Sequence, residues 1–102
     1  MKIIEKLCDM IEEELDRAES YAKCAIEKKE EYPQLAETFY KIANDKMGHM
    51  NLLHTQVVSI IEDYRKKKGD PPEAMQTLYD ILHRRYIAHA AAVKGMLALY
   101  KE

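Results

Sequence analysis

The chain has 102 residues, 47% hydrophobic and 33% charged, with only 3 Gly and 3 Pro; this describes one domain of helix-forming composition and excludes a disordered chain or a turn-rich sheet protein. The net charge of -2 leaves no broad basic face for nucleic acid, and no apolar run approaches the ~20 residues of a membrane span. The first residues, Met1 to Leu15, acquire charges too early for a signal peptide, so the expected setting is the cytoplasm.

Pro33 and the pair Pro71-Pro72 are the strong breaks. They divide a single domain, residues 1–102, into three long predicted helices at about 2–31, 33–68 and 71–101. In the first, apolar or small residues fall at Ile4, Cys8, Ile11, Leu15, Ala18, Ala22 and Ala25, in the alternating steps of an amphipathic seam. Cys8 and Cys24 lie sixteen residues apart on it, roughly 24 Å along a straight helix, so they are expected as reduced thiols.

The middle helix carries one apolar series at Leu35, Phe39, Ile42, Lys46, His49, Leu53, Val57, Ile60 and Tyr64. A second series runs through Ala36, Tyr40, Ala43, Met47, Met50, Val58 and Ile61. So wide an apolar arc predicts that this helix is the central one. "RKKK", Arg65 to Lys68, complements the dipole at its end, and Gly69 can terminate it at positive φ. "DPPE" then reads as a start signal, with Asp70 as cap and Pro71 at the first helical position.

The third helix carries Met75, Leu78, Leu82, His89, Val93, Met96 and Tyr100, and a small face at Ala74, Ala88, Ala91 and Ala92. Short connections make sequential helices antiparallel. The expected fold is therefore all-α: an up-down-up bundle of three long helices. Three thin rods have much surface for their core, so the bundle is expected to be completed by dimerisation.

Polar residues interrupt these seams in a suggestive pattern. Glu12, Asp16 and Glu19 flank the first stripe; Asp45 and Lys46 lie one turn before His49; Asp80 and His83 form an i,i+3 pair, and His89 follows. Residues three or four apart share a helix face and can grip one ion, and carboxylate-bridged metal bundles are built from such pairs. The plainer readings are a half-buried polar pair for Lys46 and His49, an Asp80–Arg84 pair, and a hydrogen-bonded core histidine at position 89. Lys46 would then reach Glu12 or Asp16, its ammonium standing where a metal charge would be. The seven tyrosines read as packing residues with wet hydroxyls. Met47, His49 and Met50 have the chemistry for Cu(I), but they do not share one direction on a helix. No nucleophile beside a base and no glycine-rich phosphate loop occurs, so hydrolytic and nucleotide chemistry have no support.

"EELDRAESYAKCA" followed by "YPQLAETFYKIANDKMGHMNLL" resembles the first helical hairpin of the ferritin-like superfamily, its rubrerythrin branch most closely, over about half the chain. It is similar to the small bacterial or phage-borne members of that group. The resemblance implies a site for iron or manganese, with Glu12 at the first-helix ligand position and His49 at the ligand histidine. Asp45 or Glu19 would be the auxiliary carboxylates, and the role would be metal or oxidant handling. Two departures stand against it. "KMGH" replaces the family's Glu-x-x-His, so Lys46 occupies a glutamate position. The second hairpin is missing, so a full site would draw Glu12 and His49 from two copies. The alternative is a metal-free structural or interaction module in which Lys46 replaces the metal charge.

Overall fold

The computed structural model describes residues 1–102 as three α-helices without strands: α1 (Lys2–Lys28), α2 (Pro33–Lys68) and α3 (Glu73–Lys101). No helix is long and apolar enough to cross a membrane. The helices lie together in a rod with extents of 56 × 19 × 18 Å.

The helix ends differ locally from expectation. α1 stops at Lys28, three residues before the expected Glu31. α2 begins with Pro33 at its first position, where a missing N–H costs nothing. It ends at Gly69, whose φ of 77° and ψ of -162° suit only glycine and whose N–H bonds the Arg65 carbonyl at 3.0 Å. α3 starts at Glu73, with Pro72 rather than Asp70 in the cap position. Gln76 stabilises that start, its Nε2 donating to the Pro71 carbonyl at 2.7 Å.

The α1 stripe is buried at every expected position, from Ile4 to Ala25. Its packing corrects the expected order of the helices. α1, not α2, is the central helix: it packs on both neighbours, most extensively on α2, while the α2 and α3 backbones approach each other least. The cause lies in side-chain size. Ala18, Ala22 and Ala25 of α1 and Ala36 and Ala43 of α2 are fully buried and let two axes come close. Between α2 and α3 the space is spanned by rings: Tyr40 stacks on Tyr100 at 4.8 Å, and His54 meets Tyr86 edge-on at 5.6 Å. Large rings hold helix axes apart.

α2 buries its second series rather than its first. Ala36, Ala43, Met47, Met50 and Ile61 are buried, joined by Val57, whereas Leu35 and His49 of the first series are exposed. α3 buries Tyr86, Ala90, Val93, Leu97 and Tyr100, and Leu78 is exposed. Contacts set the register. Tyr21 meets Phe39 and Glu14 meets Lys46, so residue numbers rise along α1 as they fall along α2. Glu12 meets His89 and Lys29 reaches the Tyr100 carbonyl, so numbers rise together along α1 and α3.

Candidate metal centre

Glu14 lies two positions after Glu12, about 200° of helical rotation. That rotation divides the polar residues of α1 between two neighbours. Glu12, with Asp16 and Glu19 one and two turns later, faces α3; Glu14 faces α2.

On the α3 side the carboxylates converge on His89. Its Nδ1–H donates to Glu12 Oε2 at 2.8 Å, and its Nε2 lies 3.3 Å from Glu19 Oε1 and 3.9 Å from Asp16 Oδ1. The His89 and Glu12 side chains are only 18% and 22% exposed. Burial alone pulls the imidazole pKa down, but the hydrogen bond and charge of Glu12, then the charges of Glu19 and Asp16, outweigh it and raise the pKa above its ordinary value. Both ring nitrogens face oxygens that can only accept, so the metal-free ring is satisfied as imidazolium. Glu12 Oε1 is buried and accepts no hydrogen bond; its nearest cation is the Arg85 guanidinium, with Nε at 3.8 Å. Glu12, Asp16 and His89 each offer a ligand atom, and these lie within 4.8 Å of one another.

The α2 side is a separate constellation. Lys46 Nζ lies 3.8 Å from Glu14 Oε2, and His49 Nδ1 lies 3.3 Å from the same oxygen. Lys46 therefore turns toward α1, to Glu14 rather than to the expected Glu12 or Asp16. His49 is 51% exposed, and with Asp45 it lines a shallow outward depression that also includes Lys46, Gly48 and Leu52. Of the four expected ligands, Glu12 and Glu19 thus gather with His89, whereas His49 meets Glu14 and the exposed Asp45 lines the same depression as His49. The structure does not bring Glu12 and His49 of one chain to a common point. The residues missed were His89 as a centre and Glu14 as a partner. A signal existed: Glu12, Asp16 and Glu19 share one face, and three carboxylates on a seam require a facing cation.

A second polar cluster joins α2 to α3. The hydroxyl of Tyr86, which is fully buried, shares a hydrogen bond with His54 Nδ1 at 2.6 Å. His83 stacks on Tyr79 and on His54, with ring centroids 5.6 Å apart in both pairs. Burial, then the charge of His83, lowers the His54 pKa; burial, then Tyr79, raises that of the Tyr86 phenol. The expectation of wet tyrosine hydroxyls fails here, because Tyr86 has a protein partner instead of water. The stacked imidazoles present parallel faces rather than converging lone pairs, a poor arrangement for chelating one ion. Cys8 and Cys24 are free thiols, and burial pushes the Cys8 pKa up, toward an inert core residue.

No protein-family model, curated protein or solved structure matches this chain.

Proposed function

We propose that this chain is a divergent ferritin-like protein of the cytoplasm, a single up-down-up bundle completed by dimerisation. It holds one divalent transition ion, iron or manganese, between α1 and α3. The observation that carries the reading is the convergence of Glu12, Asp16 and His89. The donor set fits: one imidazole nitrogen and carboxylate oxygens suit iron and manganese, and the buried Glu12 Oε1 accepts no hydrogen bond, its only cationic neighbour being the Arg85 guanidinium at 3.8 Å. One imidazole suits one ion rather than the pair typical of the resembled family. His49 is replaced by His89 as the nitrogen donor, Glu12 keeps its expected place as a ligand, and Asp16 takes the auxiliary position expected of Asp45 or Glu19.

The protein's own part is electrostatic. His89 gives up a proton before its nitrogen can ligate, so affinity falls with acidification. Glu12 and Asp16 would supply charge, and Glu19 would hold the imidazole in place by accepting from its second nitrogen. Such an ion supplies one-electron exchange with small oxidants, which supports a role in oxidant or metal handling.

The decisive experiment is titration of chelator-treated protein with Mn(II) or Co(II). One equivalent binds to wild type, His89→Ala and Glu12→Gln weaken it at least tenfold, and His49→Ala leaves it unchanged. Binding that survives His89→Ala, or no binding at all, overturns the reading.

A second reading is the metal-free interaction module. The contact between Lys46 and Glu14 favours it, since an ammonium there supplies the positive charge. Under that reading elemental analysis finds no stoichiometric metal, and added ions leave the thermal midpoint unmoved.

A further inference from the structure

At one end of the rod, where α1 begins, α2 ends and α3 begins, the helices leave a cavity of about 90 Å³, open to solvent on one side. Its lining is graded. Ile4 and Ile61 are buried at its floor, Met75 and Tyr79 form half-buried walls, and Glu5, Arg65 and Asp80 stand exposed at its rim. Apolar concavities that collect a few polar groups are the usual seats of small ligands.

Size and charge narrow the occupant. Sites for drug-sized molecules start at roughly 300 Å³, more than this space holds. An apolar cavity of ~150 Å³ accommodates a benzene, so this smaller one takes a single ring with one edge toward solvent. The flexible thioether of Met75 adapts to such a ring and makes favourable sulfur–aromatic contact. At the rim two carboxylates oppose one guanidinium. An anionic ligand therefore finds no cationic cradle, and an ammonium meets Arg65. The fitting occupant is uncharged.

Tyr79 supplies the polar handle. Burial, first among its causes, raises the phenol pKa, so the group stays uncharged. Its hydroxyl neighbours that of Tyr86, which shares a hydrogen bond with His54 Nδ1 at 2.6 Å. A hydroxyl has one donor and two acceptor positions, so Tyr79 can bond a ligand as well as Tyr86. A file of polar groups thus runs from the cavity wall into the α2–α3 seam, with His83 stacked on both Tyr79 and His54.

We propose that this cavity binds one small uncharged ring compound bearing a hydroxyl, of the size of phenol, with Tyr79 as its hydrogen-bonding partner, and that occupancy is felt at His54 through Tyr86. The site is separate from the proposed ion centre, since neither Glu12 nor His89 lines the cavity. It fills with or without metal.

Calorimetry and imidazole NMR of the full metal-free chain, with phenol as the probe, test the site. One equivalent binds, the His54 ring signals move as it saturates, and those of His49 stay fixed. Benzene binds more weakly and leaves His54 unmoved; benzoate and benzylamine bind at least tenfold more weakly than phenol. Met75→Trp fills the space and weakens phenol at least tenfold with helix content unchanged. Tyr79→Phe lowers phenol affinity to that of benzene and abolishes the His54 response, which tests the handle even where Met75→Trp disturbs folding. No saturable binding at millimolar phenol, or undiminished affinity in a folded Met75→Trp chain, overturns the site. Tighter binding of benzoate or benzylamine overturns the ligand class, and a His54 response that survives in Tyr79→Phe overturns the relay.

Discussion

His89 Nδ1 lies 2.8 Å from Glu12 Oε2 across the α1–α3 seam, while Glu14 turns to the opposite neighbour and meets Lys46 at 3.8 Å. The central helix thus carries two acidic faces, each answered by a different cation. One answer is an imidazole, which can exchange its proton for a metal. The other is a lysine, which remains charged and repels one. That division places the proposed ion site on the α3 side of α1 and, on the α2 side, a turn that carries Lys46 three residues before His49.

Metal-free protein should show opposite pH trends from two histidines. The pKa of His89 is raised, net of burial, by Glu12, Glu19 and Asp16. Its contribution is therefore complete below the unfolded value of about 6.5 and is lost as pH rises through the folded value. The pKa of His54 is lowered by burial and by His83. The unfolded chain takes up that proton first, so stability falls as pH drops below about 6.5 toward the folded value. Urea unfolding between pH 5 and 9 should lose its alkaline limb in His89→Gln and its acid limb in His54→Gln. Unchanged limbs in these variants would refute the assignments.

Lys46→Glu should change the α2 side, not the α3 side. The new carboxylate would stand with Glu14 and His49, restoring a carboxylate three residues before the histidine. Calorimetry should show one added equivalent of Mn(II) or Co(II) that disappears when His49→Ala is combined with it. Without metal the same variant should lose roughly 0.2–1 kcal/mol, the scale of a partly exposed ion pair. An added site that persists without His49 would count against this geometry.

The change in helix order has a stability consequence. Leu15 on α1 is fully buried, and Leu15→Ala should cost about 2–5 kcal/mol. Leu35, first in the expected α2 series, is 44% exposed, and Leu35→Ala should stay within ~0.5 kcal/mol. Denaturant midpoints measured side by side decide the point, and comparable losses would restore α2 as the centre.

Tyr86→Phe removes the hydroxyl bonded to His54 Nδ1 and leaves that nitrogen facing an apolar ring. The expected loss is about 0.5–1.5 kcal/mol, the net worth of one hydrogen bond at a half-buried imidazole. His54→Phe combined with it should recover part of that loss, since both partners are then apolar. A double-mutant cycle measures the recovery, and strict additivity would show that the hydrogen bond carries no coupling.

The amino-acid pattern by itself determined the three helices, because prolines interrupt them and Gly69 ends the second in a conformation other residues avoid. It also determined the buried face of α1, where apolar and small residues recur without a rival series. α2 was different. Two overlapping series gave it a wide apolar arc, and periodicity cannot say which part of an arc is covered; the alanines of α1 decided that by admitting α2 on its small-residue side. The candidate centre shows the same limit. Three carboxylates on one face of α1 could be read from spacing, but their partner lies 77 positions away in sequence from Glu12. Only the packing of α3 against α1 selects His89, because helical rotation divides neighbouring acids between faces and tertiary contact decides which cation each face meets.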